Sequence, residues 1–287
     1  MTFQITSLIL FSALIHSIWN IQLKRSSNPL LFIVSIGVAG WLIFAPYSIY
    51  KIFTDFPETR TLLFTMASFF IHFFYFIYLG KAYSKYELSV VYPSARGLSV
   101  FLLPLYGIFI LGESISTVAL LGCALIIIGI LMTGSIRISD FLSVSGRSKL
   151  LKGGIFSAIL IGIIISLYSL VDKKAAPGID PILFVWITDT SAVILFIYFY
   201  FTNKDLKEII KIENFKLIIP GIFQYGSYAI VIHAYATTQL GYAGTFREIG
   251  TVFGAVFAKI FLKETFTTYK TLGILIIVVG AILISTF

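Results

Sequence analysis

The chain has 287 residues, 58% of them hydrophobic and 12% charged, with a formal net charge of +8. About half the charge density of an ordinary soluble domain excludes a water-soluble globular protein. Apolar runs of roughly 18 to 24 residues recur along the whole length, which excludes an outer-membrane barrel with its short alternating strands.

In chain order, the first apolar segment, 3–23, carries His16 and Trp19, three residues apart and so on one helical face. No Lys or Arg stands in Met1–Gln4 and no small-residue cleavage site follows, so a retained first helix is expected rather than a signal peptide. The second segment is 30–50. The third, 62–82, places His72 and Tyr75 on one face. The fourth, 88–110, holds Tyr92 and Arg96, the arginine about 12 Å into the helix at ~1.5 Å per residue. The fifth, 116–136, carries Gly122 and Gly129, and its lone Cys123 rules out an intrachain disulfide. A Ser-rich, basic stretch at 137–151 reads as a connector. Five more segments follow: 152–172 with Tyr168, 181–201 with Asp189, 215–236 with Gln224 and Tyr228, 240–262 with Arg247, Glu248, Gly250 and Gly254, and 270–286 with Gly273 and Gly280. Pro93, Pro104 and Pro220 fall within or at the start of helices, which they can bend.

The two halves repeat each other. Leu111-Gly112-Glu113-Ser114, Gly122 and Gly129 recur as Leu262-Lys263-Glu264-Thr265, Gly273 and Gly280, 151 residues on, and Arg96 falls on Arg247. Asn28-Pro29-Leu30-Leu31-Phe32 recurs as Asp180-Pro181-Ile182-Leu183-Phe184. His72 and Phe76 correspond to Gln224 and Tyr228, and Trp19 to Tyr168. Five helices per repeat is an odd number, so the second copy enters the bilayer from the opposite side. The expected fold is all-α and integral to the membrane: ten transmembrane helices in two inverted-topology repeats, 1–136 and 152–287, joined by 137–151. Repeats of this kind are common in transporters, with the substrate at the repeat interface.

Loop charge gives an orientation. Fifteen Lys and Arg fall on one side and four, Lys51, Arg60, Lys173 and Lys174, on the other, so the first side is expected to be cytoplasmic and both termini extracytoplasmic. The basic excess is therefore assigned to orientation and not to nucleic acid.

Tyr92-Pro93-Ser94-Ala95-Arg96-Gly97 followed by Leu111-Gly112-Glu113-Ser114 and a Gly-rich helix resembles the EamA family of the drug/metabolite transporter superfamily. The second copy keeps Arg247 and Lys263-Glu264-Thr265 but lacks the Tyr-Pro pair. The resemblance covers both halves. It implies a ten-helix carrier working by alternating access, with export favoured over import. It does not name a substrate, since relatives handle amino acids, nucleotide precursors, sugars and organic cations.

Charges inside apolar segments are costly and mark function. Arg96 and Arg247 lie at similar depth in helices that enter from opposite sides, and two guanidiniums suit a carboxylate or phosphate. The alternative is a structural salt bridge with Glu248 or Asp189. Those two acids are also the candidates for a coupling proton or a counter-ion. His16, Trp19, His72, Tyr75, Tyr92, Tyr168, Gln224 and Tyr228 are expected to line the cavity, against the simpler reading that Trp and Tyr sit in the interfacial belt. Gly122, Gly129, Gly273 and Gly280, and the shorter pair Gly250 and Gly254, are expected to pack helices, within the chain or at a dimer seam. Glu113 and Glu264 are read as turn residues, with Ser116 and Thr267 as caps. No metal spacing, nucleotide loop or nucleophile motif occurs, so neither an enzyme nor a cofactor is expected.

The leading expectation is a secondary transporter, in a bacterial inner membrane, for a small anionic or zwitterionic metabolite such as an amino acid. An organic-cation exporter using Glu248 or Asp189 is the alternative within transport, and a non-transporting scaffold the alternative outside it. The expected partners are the bilayer and a small-molecule substrate; monomer and homodimer stay open.

Overall fold

The computed structural model describes residues 1–26, 28–86, 88–134, 142–202, 214–261, 263 and 265–286. Arg137, Lys204, Lys207, Lys211, Leu262 and Glu264, used in the sequence reading, lie outside them. Among the described residues the regular secondary structure is all helical: α1 (Phe3–Arg25), α2 (Pro29–Thr54), α3 (Thr59–Lys85), α4 (Leu88–Leu111), α5 (Thr117–Thr133), α6 (Val144–Lys152), α7 (Ile155–Ala175), α8 (Pro181–Thr202), α9 (Ile218–Thr237), α10 (Leu240–Phe246), α11 (Gly250–Phe261) and α12 (Thr268–Thr286), with short 3₁₀ turns between some of them.

Repeated sequence gives repeated local chemistry. Asn28 caps α2 by accepting from the Leu31 amide at 3.2 Å. Its counterpart Asp180 caps α8 by accepting from the amides of Ile182 and Leu183 at 2.9 and 3.1 Å. Each cap is followed by a proline at the first helical position, where the missing N–H costs nothing. Ser116 caps α5 and Thr267 caps α12, each accepting an amide at 3.2 Å. Even a strained backbone recurs: Gly112 has φ +67°, and Lys263, which takes its place in the second half, has φ 55°.

Packing pairs the halves with one another. α5 and α12 lie antiparallel in the closest contact of the fold. A Cβ on Gly122 would stand 2.7 Å from the Gly280 carbonyl oxygen, and one on Gly129 2.6 Å from that of Gly273. The four glycines thus let two backbones touch, within the chain. α2 and α8 cross with Trp41 stacked on Trp186 at 4.8 Å, and the Trp41 indole donates to Thr190 at 3.1 Å. α1 packs on α9 and α7 on α3; α4 packs on α7, and α1 on α11. Phe53, Phe109, Phe156, Phe201 and Ile260 point outward, a surface that only lipid satisfies.

Seven of the described helices are long and apolar enough to cross a membrane: α1 to α4, α7, α8 and α12. The sequence expectation was ten. α5, with 17 residues, is apolar but short. α9 has 20 residues, but Gln224, Ser227 and His233 dilute it. The ninth segment is not the single helix expected over 240–262, because a 3₁₀ turn at Arg247–Ile249 divides it into α10 and α11. Part of the connector is also structured: α6 is a short basic helix capped by Ser143, which accepts from the Gly146 amide at 3.0 Å.

Candidate functional site

The 3₁₀ turn sits where α1, α4 and α9 converge. Breaking a helix there frees backbone groups and turns consecutive side chains toward new neighbours, a device often found at functional positions. Arg247 and Glu248 are in the turn. Glu248 is buried, and its Oε1 accepts from Arg96 Nη1 of α4 at 2.8 Å and lies 3.8 Å from Arg247 Nε. One carboxylate therefore stands between two guanidiniums, one from each half of the chain. Arg96 also lies over the Tyr92 ring at 5.6 Å. Arg247 also donates to the Tyr235 hydroxyl at a long 3.5 Å.

The cluster borders a small cavity of about 40 Å³, room for a few water molecules, lined among others by Ser12, His16, Tyr92, Arg96, Tyr228, Arg247, Glu248 and Thr251. Ser12 of α1 donates to the Ser227 carbonyl of α9 at 2.7 Å, and Ser17 to the Gly250 carbonyl at 2.9 Å, so hydroxyls tie three walls together.

Two features outside the cavity hold the turn in place. Glu113, in the Leu-Gly-Glu-Ser turn of the first half, accepts from the amides of Leu240 and Gly241 at 2.7 and 3.2 Å and so caps α10. A negative charge there also complements the helix dipole. Lys173 of α7 donates to the carbonyls of Tyr235 and Thr238 at 2.6 and 2.9 Å, closing the end of α9. The sequence reading counted Lys173 as a loop charge; it is partly buried and committed to a helix end.

Of the expected cavity residues, the structure places Arg96, Arg247, His16, Tyr92 and Tyr228 on the wall. Trp19 lies behind His16, edge-on to it at 4.8 Å, and Gln224 turns aside to donate to Asp189 at 3.4 Å. His72, Tyr75 and Tyr168 form a layer of rings beneath Tyr228, with His72 4.3 Å from Tyr168 and 5.5 Å from Tyr228. Asp189 is buried on α8 beside Gln224, away from the cavity lining. Gly250 makes ordinary contact with Ala13, and a Cβ on Gly254 would meet nothing within 4 Å, so the expected seam between them is not formed.

One acid escaped the sequence reading. Asp172 of α7 is fully buried and accepts from Ser68 of α3 at 2.5 Å and from the Tyr228 hydroxyl of α9. The sequence reading makes Asp172 the last residue of the sixth helix, next to the loop charges Lys173 and Lys174, and does not single it out; α7 runs on to Ala175. Tyr228 thus both lines the cavity and donates its hydroxyl to Asp172. Among the described residues no cluster of three or more His, Cys, Asp or Glu could hold a metal ion.

Residues 152–286 match the model of the EamA-like transporter family. The match covers the second half of the chain and leaves residues 1–151 outside it. The chain is a multi-pass membrane protein. A solved structure described only as "Crystal structure of protein" is similar over 100% of this chain and 98% of its own, with a TM-score of 0.73 at 12% identity, which shows a shared fold. No curated protein matches the chain.

Proposed function

We propose that this protein is a secondary transporter of a small anionic or zwitterionic metabolite, an amino acid being the best single class. Residues 1–136 and 152–287 are read as two inverted five-helix repeats, spanning the bacterial inner membrane ten times with both termini outside. The reciprocal packing of α1 on α9 and α7 on α3, and the antiparallel α5–α12 seam, support the inversion. Rocking of one repeat against the other would expose the cavity to each side in turn, and the family resemblance favours export.

The observation that carries the reading is the Arg96–Glu248–Arg247 cluster on the cavity wall. Two guanidiniums share one carboxylate, so the group keeps a surplus positive charge. Among the described residues the polar contacts of Arg247 are long, at 3.5 and 3.8 Å, which suits a fork of donors awaiting a carboxylate. An organic cation would find Glu248 already enclosed by arginines and Asp189 outside the lining. The test is ligand-induced thermal stabilisation of purified protein against amino acids, organic acids, nucleotides and organic cations, in wild type and Arg247→Gln. Carboxylates that stabilise the wild type and not the variant support the reading; cations that stabilise both alike overturn it.

A further inference from the structure

Asp172 has no part in the anion site just described, yet it is the most completely enclosed acid near it. It is 0% exposed and receives hydrogen bonds from Ser68 and Tyr228. Among the described residues it makes no ion pair. Its surroundings come from every neighbouring element. α3 supplies Ser68 and, behind it, His72, whose Nδ1 lies 3.1 Å from the Ser68 hydroxyl and 3.0 Å from the Ser68 carbonyl. α9 supplies Tyr228 and Tyr235, the 3₁₀ turn supplies Arg247, and α4 presents Arg96, already held by Glu248. On its own helix, Lys173 is turned to the end of α9, while the basic residues of α6 lie beyond the other end of α7.

The carbonyl requires a proton on His72 Nδ1, so donation runs from His72 to Ser68 to Asp172, and separately from Tyr228 to Asp172. Both chains end on the carboxylate. If a proton binds Asp172 on the oxygen facing Tyr228, the new carboxyl O–H becomes the donor of that hydrogen bond. The phenol keeps its own hydrogen but can no longer direct it at Asp172, and must turn it elsewhere. Because Tyr228 also lines the cavity, a turned hydroxyl alters the polarity of its wall. The charge changes too. Protonating Asp172 removes a negative charge that acts on Arg247 and so adds to the positive surplus of the cluster.

We propose that Asp172 is a proton-binding site coupled through Tyr228 to the cavity, so that a proton and an anion are bound together. The coupling rests on the anion reading above, whereas the proton site itself does not. Linkage is reciprocal, so whatever factor the proton adds to anion affinity, the anion adds to proton affinity.

The experiment has two readouts on detergent-purified full-length protein. Infrared difference spectra between acid and alkaline pH report a protonated carboxyl without any ligand. A carboxyl band in the wild type, lost in Asp172→Asn, is expected. Should that variant fail to fold, Tyr228→Phe must move the pH at which the band is lost, because it removes one of the two donors. No band, or a band unaltered by either change, overturns the proton site. The second readout is binding of benzoate, whose own charge is constant between about pH 6 and pH 8. Wild type is expected to bind it about tenfold more tightly at the lower pH, and Asp172→Asn equally at both. Equal wild-type affinities with a titrating band overturn the coupling and leave the proton site. No benzoate binding with a titrating band overturns the carboxylate reading, and the coupling falls with it.

Discussion

Arg96 and Glu248 stand 152 positions apart in the sequence and 2.8 Å apart in the fold, an ion pair joining α4 of the first half to the 3₁₀ turn of the second. Arg247 approaches the same carboxylate oxygen at 3.8 Å. The three charges are unequal partners. Removing Glu248 leaves two enclosed guanidiniums facing each other, whereas removing Arg96 leaves a neutral pair. Glu248→Gln is therefore expected to cost about 3–5 kcal/mol of stability and Arg96→Gln clearly less. Unfolding in detergent checks the order, and a larger loss for Arg96→Gln would show that Glu248 depends on that arginine alone.

The α5–α12 contact makes a sharper test of the fold. A Cβ on Gly129 would lie 2.6 Å from a backbone oxygen, and backbone has little room to yield. Gly129→Ala is expected to cost about 1–3 kcal/mol by forcing the helices apart. Gly254→Ala, where a Cβ meets nothing, is expected to stay within about 0.5 kcal/mol of the wild type. Comparable losses at both sites in thermal unfolding would mean that the seam is not closely packed.

Lys263 occupies a left-handed conformation that the first half gives to Gly112. An L side chain there costs about 1–2 kcal/mol relative to a residue without a Cβ. Lys263→Gly is expected to raise the melting temperature, and Gly112→Ala to lower it by a similar free energy. A lower melting temperature for Lys263→Gly would show that the lysine side chain contributes more than its backbone costs.

What was readable in the sequence followed from single-residue chemistry. Arg96, Arg247 and Glu248 stood out because charges in apolar segments are rare, and the glycine spacing showed because it recurred. The break in the ninth segment was hidden, because Arg247-Glu248-Ile249 contains no helix breaker, while Pro93 and Pro104, which do announce breaks, lie inside a continuous α4. Asp172 was hidden by its neighbours, since an acid beside two loop lysines at the end of an apolar run does not stand out as a buried charge. Only the tertiary path of Lys173 to α9 shows that the helix continues into the protein. Trp19, by its face shared with His16 and its repeat match, and Gln224, by its repeat match, read as cavity residues; such patterns fix position along a helix but not which partner the side chain finds.

Glu113 connects the two halves at a distance from the cavity, and that makes it a test of how the turn is positioned. Its carboxylate caps α10, whose seven residues lead directly to Arg247 and Glu248. It can lie there because Gly107 has no side chain: a Cβ on Gly107 would run into the carboxylate. Glu113→Gln keeps one acceptor but loses the charge that complements the helix dipole, at an expected cost of about 1 kcal/mol. Gly107→Ala should displace the same carboxylate without touching its chemistry. Both variants are expected to weaken carboxylate binding, because the cap sets where α10 begins and hence where Glu248 meets Arg96. Binding at wild-type strength in both, with stability reduced, would mean that the Arg96–Glu248 pair positions the turn without help from the cap.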